Sequence, residues 1–157
     1  MAVEIERKFL VHESRLPKLV HGNRMSQGYF PMLGPGVVRV RIAGQGAWLT
    51  IKGETQGIRR AEFEYPIPVA DAESLLETFC GAARIEKTRY NIEHDGRVWE
   101  LDIFAGANQG LLVAEIELPD VHTQPALPDW VGNEVSGDAR YYNSNLIKAP
   151  YTSWPAS

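Results

Sequence analysis

Charged and apolar side chains alternate with a period of two along most of this chain. The pattern runs through Val3-Glu4-Ile5-Glu6-Arg7-Lys8-Phe9, Val38-Arg39-Val40-Arg41-Ile42, Leu49-Thr50-Ile51-Lys52 and Glu62-Phe63-Glu64-Tyr65. It returns in Glu86-Lys87-Thr88-Arg89-Tyr90, Trp99-Glu100-Leu101-Asp102-Ile103 and Ala114-Glu115-Ile116-Glu117-Leu118. Period two is the strand period, so each run presents one ionic and one apolar face. Turn residues separate the runs at 31–36, 44–46, 53–57 and 106–110, and Asp95-Gly96 is the strongest hairpin signal. Helical spacing occurs twice. Residues 71–80 carry Asp71 as N-cap, apolar Leu75, Leu76 and Phe79, and Gly81 as a stop. The tail, about 129–148, reads as two short helices capped by Asp129 and Asp138. Short strands over about 1–118 with one helix inserted predict an α+β domain, mainly antiparallel β, covering 1–157 as a single unit.

Composition narrows the setting. The chain has 157 residues, enough for one core without a covalent staple, and one cysteine, Cys80, which excludes an internal disulfide and points to a reducing, cytoplasmic compartment. Residues 1–10 are charged where a secretion signal needs an apolar run. No stretch approaches the roughly 18 apolar residues of a membrane span. A net charge of -4 argues against nucleic acid as a partner.

The ionic face departs from that of an ordinary half-exposed sheet, which needs no function and mixes Thr, Ser, Gln and Lys. Here the charges pair at i, i+2 with mostly one sign: Glu4/Glu6, Arg39/Arg41, Glu62/Glu64, Lys87/Arg89, Glu100/Asp102 and Glu115/Glu117. Strand rise sets such partners roughly 6.6 Å apart on one face, where like charges repel. Cation pairs call for a polyanion and carboxylate pairs for a hard divalent metal. Six cations (the four named above, Lys8 and Lys52) beside eight carboxylates suit a polyphosphate bound with its magnesium or manganese.

Glu4-Ile5-Glu6-Arg7-Lys8 resembles the ExExK signature of the CYTH superfamily, the triphosphate tunnel metalloenzymes. It is followed in order by Arg39-x-Arg41, Lys52, Glu62-x-Glu64, Lys87-x-Arg89, Glu100-x-Asp102 and Glu115-x-Glu117, and the tail Gly137-Asp138-Ala139-Arg140-Tyr141-Tyr142-Asn143 resembles the short bacterial members. The resemblance implies an eight-stranded closed antiparallel barrel, a tunnel for inorganic triphosphate or a triphosphorylated organic molecule, and a divalent cofactor, Mg2+ or Mn2+. It implies Glu4, Glu6, Glu115 and Glu117 as metal ligands, with Glu62, Glu64, Glu100 and Asp102 as further acidic candidates. Lys8, Arg39, Arg41, Lys52, Lys87 and Arg89 would bind phosphate, with Lys8 and Lys52 also catalytic. Tyr29 matches a tyrosine that the family places near the tunnel as a proton acceptor; it equally suits wall packing.

Three function classes follow: hydrolysis of inorganic triphosphate, action on an organic triphosphate (thiamine triphosphatase or adenylate cyclase), and a non-catalytic polyphosphate-binding module. An organic group needs an aromatic platform at a tunnel mouth, for which Trp48, Trp99, Trp130 and Trp154 are the tryptophans available. Trp99 and Trp130 read as packing residues. A chain this short leaves few residues for a nucleoside lid, which favours the inorganic substrate. His12, His21, His94 and His122 lack metal-ligand spacing and read as surface residues. If the ionic residues face inward, apolar residues cover the outside of the barrel, and the short helices are too small to sheath it. A homodimer is therefore expected.

Overall fold

The computed structural model describes residues 2–156. Its strands are β1 (Val3–Val11), β2 (Asn23–Tyr29), β3 (Val37–Ala43), β4 (Gly46–Lys52), β5 (Arg59–Ile67), β6 (Ile85–His94), β7 (Arg97–Ala105), β8 (Leu112–Glu117) and β9 (Val131–Glu134). Helices α1 (Val69–Phe79) and α2 (Asn143–Lys148) complete it. All pairings are antiparallel, in the order β5-β4-β3-β2-β6-β7-β8-β1, and β1 pairs back onto β5 through Val3↔Ala61 and Glu4↔Arg60. Eight strands thus close into a barrel, as the resemblance implies. Seven of them are the alternating runs; β2, which carries Asn23, Met25, Gln27 and Tyr29 on its inner face, has no charge alternation to announce it. Asp95 and Gly96 both adopt positive φ (50° and 73°), the geometry of the two-residue turn joining β6 to β7.

The tail corrects the sequence reading. Asp129 caps no helix; the residues after it form β9, which pairs with β1 through Phe9↔Glu134 and Val11↔Val131. The reason lies in β1, whose one edge is shared. β5 occupies it at residues 3–5, and β9 covers the remainder, which would otherwise expose unpaired backbone groups. Four residues are too few to show a period. A Cβ on Gly132 would stand 3.2 Å from the Leu10 carbonyl oxygen, so this close approach uses a glycine. Asp138 does cap, but it caps the 3-10 turn Ala139–Tyr141, accepting from the Arg140 N–H, with α2 following. Asp71 is likewise not the N-cap of α1; that helix begins after Pro68, and Asp71 sits in its first turn, where its charge favours the positive helix end. The predicted stop stands: Cys80 is the C-cap and Gly81 has φ 72°.

Burial follows strand parity. On the outside, α1 packs Ala72, Leu76 and Cys80 against Val40 and Ala47, while Trp130 covers Phe9, Trp99 and Ile116. Trp99 and Trp130 are packing residues, as expected. On the inside, Leu10, Tyr29, Ile85, Phe104 and Val113 share strand faces with the charged groups but collect at one end, where they pack against Tyr141 and Leu146. The tail therefore closes one end of the barrel.

Candidate functional site

Alternation along the eight strands sends the charged residues of every run into the barrel, where they line one continuous space. A cavity of about 160 Å³ is walled by ionic side chains alone, from Glu4, Glu6, Glu62, Glu64, Glu100, Glu115 and Glu117 to Arg39, Arg41, Lys52 and Arg89. Deeper, toward the closed end, Lys8, Lys87, Tyr29, Tyr142 and Asn143 narrow the space. All six predicted phosphate-binding cations and Tyr29 line this inner part.

Five of the six cations stand beside a carboxylate, and Arg41 instead donates Nε to Gln27 Oε1 at 2.7 Å. Lys52 Nζ lies 2.9 Å from Glu4 and 3.2 Å from Glu62. Lys8 lies 3.6 Å from Glu115, Lys87 2.8 Å from Asp102, and Arg89 2.9 Å from Glu100. Arg39 Nη2 donates to Thr50 Oγ1 and to Glu64, and Thr50 in turn donates to Glu64 at 2.8 Å. Arg39 Nε, by contrast, is buried without any acceptor.

The eight acidic candidates separate into two groups. Single oxygens of Glu4, Glu6 and Glu117 lie within 4.8 Å of one another, a hard three-oxygen donor set that fits a magnesium- or manganese-type ion. Glu115, the fourth predicted ligand, instead faces Lys8 and, at 3.8 Å, Arg89. Glu62, Glu64, Glu100 and Asp102 each hold a cation in place.

Ionisation follows the same division. Burial works against charge on Glu4, but Lys52, a hydrogen bond with Glu6 and Arg60 outweigh it and hold its carboxyl at about 2. Burial, Glu115 and Glu4 push Glu6 well above the usual carboxylate range. Burial and the neighbouring carboxylates Glu100, Glu4 and Glu62 raise Glu117. Glu6 and Glu117 thus hold their protons to higher pH than ordinary carboxyls, while Glu4 stays ionised. Glu115 is held well below its ordinary value despite burial, because Lys8, Arg89 and Lys87 surround it. Burial, against the pull of Asp102 and with the help of Arg89 and Arg41, lowers Lys87 to about 7. Burial with Arg39 and Arg89 nearby lowers Arg41 to about 10. Crowded cations of this kind are relieved by an anion.

Arg60, Gln27 and Asn143 are among the lumen residues outside the sequence-based candidates. Arg60 lies 3.5 Å from Glu4, and its parity with Glu62 and Glu64 in Arg60-Ala61-Glu62-Phe63-Glu64 was an available signal. Gln27, wholly buried, shares parity with Tyr29 but is uncharged. Asn143 arrives from the tail, where the resemblance of residues 137–143 to the family marked the segment but gave it no role in the site. The histidines bring nothing to the cavity floor: His12, His21 and His122 are exposed, and His94 is half-buried. At the open mouth, a second space of about 270 Å³ is lined by Trp48, Met25, Asn23 and His21.

The chain is 46% identical over 154 residues to an inorganic triphosphatase of Acetivibrio thermocellus, covering 98% of this chain and 99% of the relative. An inorganic triphosphatase of Nitrosomonas europaea is 38% identical over 147 residues, covering 91% and 95%. Among solved structures, one of an inorganic triphosphatase superposes with a TM-score of 0.66 at 34% identity, covering 99% of each chain. The CYTH domain pattern itself matches residues 2–147, spanning every barrel strand and the tail that closes the lumen. With the ordered ionic pairs meeting inside a closed eight-stranded barrel, this chain belongs to the CYTH domain family.

Proposed function

We propose that this protein is a metal-dependent triphosphatase that hydrolyses inorganic triphosphate inside the barrel, with Mg2+ or Mn2+ as cofactor. The observation that carries the reading is the cavity walled only by ionic groups, in which Glu4, Glu6 and Glu117 converge on one another and Arg39, Arg41, Lys52 and Arg89 face the same space. The names of the related triphosphatases support it.

Lys8, Arg39, Arg41, Lys52, Lys87 and Arg89 bind phosphate oxygens and offset the charge that spreads over them in an in-line displacement. Glu4, Glu6 and Glu117 hold the divalent ion, with Glu115 fixing Lys8 and Arg89 at its side. Bound there, the ion supplies Lewis acidity toward phosphoryl oxygen and water. Glu62, Glu64, Glu100 and Asp102 keep the cations extended into the cavity. Lys52 and Lys8 sit nearest the junction of the acidic and basic groups, which suits them to neutralise the leaving oxygen. The same reading places the enzyme in the cytoplasm as a single domain over 1–157, without nucleic-acid or membrane partners.

Phosphate release from tripolyphosphate, ATP and thiamine triphosphate, with magnesium, manganese or EDTA, tests the proposal. Turnover of tripolyphosphate that EDTA abolishes is expected. An organic triphosphate is the second reading, favoured by the Trp48 platform at the open mouth. Faster turnover of ATP or thiamine triphosphate, lost in Trp48→Ala, would select it. Binding without turnover would make the protein a polyphosphate-binding module.

Homodimer formation belongs to this reading too. Most outward apolar positions are covered by α1, Trp130 and their neighbours, but Ile51, Phe63 and Tyr65 on the adjacent strands β4 and β5 are exposed. Ile51 pairs with Phe63 and Leu49 with Tyr65, so they form one patch, and a second copy of the chain is the partner proposed for it.

A further inference from the structure

The uncharged centre of the ionic lumen is Gln27, which is wholly buried and fully bonded. Its Oε1 accepts from Arg41 Nε at 2.7 Å, and its Nε2 donates to Tyr29 Oη at 2.9 Å and to Asn143 Oδ1 at 3.2 Å. Asn143 Oδ1 also accepts from Lys87 Nζ at 2.9 Å. Two amides thus connect two phosphate-binding cations, a tyrosine and the tail.

The pattern fixes the polarity of every member. A guanidinium can only donate, so Gln27 must turn its oxygen to Arg41 and its NH2 toward Tyr29 and Asn143. Asn143 then meets two donors, Gln27 and Lys87, and must present its oxygen to both. Its own Nδ2 has no acceptor among the described residues, and Asn143 lines the narrow inner part of the cavity. Tyr29 Oη already accepts from Gln27, so its own hydrogen is free to be donated into the same space.

We propose that Gln27 is a positioning residue that orients Tyr29 and Asn143 as neutral hydrogen-bond donors to the innermost phosphoryl group of the bound triphosphate, making Asn143 a substrate-binding residue. Tyr29 accordingly donates to phosphate and does not take a proton from water. The two neutral donors add contacts where further cations would only increase the crowding that already lowers Lys87 and Arg41. The inference rests on the triphosphatase reading.

Steady-state phosphate release and calorimetric binding of tripolyphosphate, measured on wild type, Gln27→Glu, Asn143→Asp, Tyr29→Phe and the Gln27→Glu/Tyr29→Phe pair, decide it. Glutamate at 27 still accepts from Arg41 but would draw the tyrosine hydrogen to itself. Gln27→Glu should lower kcat by roughly tenfold or more, the scale of one lost hydrogen bond near charge. In the Tyr29→Phe background the same change should cost clearly less, a coupling that a merely structural role would not produce. Asn143→Asp keeps the acceptor for Lys87 and Gln27 but loses the donor, so it should raise KM and the dissociation constant at least tenfold. Melting curves report whether each variant folds, and Asn143→Asp, at the start of α2, keeps the test open if a change at buried position 27 unfolds the barrel. Additive losses in the pair, or unchanged KM and binding in a folded Asn143→Asp, would overturn the inference while leaving the triphosphatase reading intact. A folded wild type that neither binds nor hydrolyses tripolyphosphate would overturn both.

Discussion

Asp102 and Arg89 meet in a two-pronged pair inside the barrel, with Nε donating to Oδ1 at 2.7 Å and Nη2 to Oδ2 at 2.8 Å. The carboxylate is wholly removed from solvent and also accepts from Lys87 Nζ at 2.8 Å. Burial disfavours its charge, yet Lys87 and Arg89 together hold its carboxyl below its ordinary value and keep it ionised. Its oxygens are committed to these cations, so in the proposed function Asp102 anchors Lys87 and Arg89 and is not counted among the metal ligands. Glu6 and Glu117 are different in kind: their oxygens converge with those of Glu4, and among the described residues neither is held in a salt bridge.

That difference predicts two classes of acidic variant. Glu6→Gln or Glu117→Gln should weaken magnesium or manganese binding and lower activity on the order of 10² or more, with partial recovery at high metal. Asp102→Asn should lower activity as well, but added metal should not restore it, because Lys87 and Arg89 lose their anchor. Metal titrations of each variant, read by calorimetry and by phosphate release, separate the two behaviours.

Metal binding should depend on pH through the raised carboxyls of the trio. Glu6 and Glu117 ionise above their ordinary values in the free protein, so protons compete with the cation as pH falls. The expected result is proton release on adding magnesium at mildly acidic pH. The apparent metal affinity should fall as the medium is acidified, with Glu117→Gln releasing fewer protons. Calorimetry in two buffers of different ionisation heat counts the protons directly.

Lys87 sets a different window. Its folded value of about 7 lies below the unfolded value of 10.5, so between these the unfolded chain binds more protons and stability rises with pH. The penalty for the buried ammonium is fully present below pH 7 and gone above the unfolded value. Lys87→Met should flatten stability against pH between about 7 and 10, as followed by urea unfolding at fixed ionic strength. Triphosphate, by supplying countercharge, should raise the Lys87 value and draw in a proton near pH 8.

Ligand should also relieve the crowding as a whole. Tripolyphosphate with metal at a hundredfold excess over its dissociation constant should stabilise the fold by roughly 2.7 kcal/mol, read as a rise in Tm. Either component alone should give a smaller shift, because the carboxylates and the cations each need the other's partner. An unchanged Tm alongside measured binding would mean that the ionic face is open to water.

The ionic face was legible in the sequence because a period of two gathers like-signed pairs on one side of the strands, and the CYTH resemblance implied that this side lines a closed barrel. Strand β2 was not, since its inner residues, Asn23, Met25, Gln27 and Tyr29, carry no charge and no strict alternation. Strand β9 was missed because only the free edge of β1 calls for it, a long-range fact that four residues cannot encode. The closed end escaped for a similar reason. Leu10, Ile85, Phe104 and Val113 extend the charged faces with correct parity, but nothing local says that Tyr141 and Leu146 return to meet them. Asn143 enters the site only through that return.

Oligomeric state tests how completely the wall is covered. Outward apolar residues at the barrel face beneath α1 and Trp130 are buried within the chain, so the apolar surface left over is narrower than strand parity alone requires. The exposed apolar residues of the wall include Ile51, Phe63 and Tyr65, with exposures of 41%, 39% and 53%, side by side on β4 and β5, and Val3 on the adjoining β1. β-branched and aromatic residues on a flat sheet face pack well against a copy of themselves related by a two-fold axis. Light scattering at low micromolar concentration should therefore give twice the 17.5 kDa chain mass, and Phe63→Lys with Tyr65→Lys should return the protein to monomer. Phosphate release should survive that change, because both side chains point away from the lumen that holds Glu62 and Glu64. A wild type that scatters as a monomer would show that this patch stays in water, and the dimer would be abandoned without any cost to the triphosphatase reading.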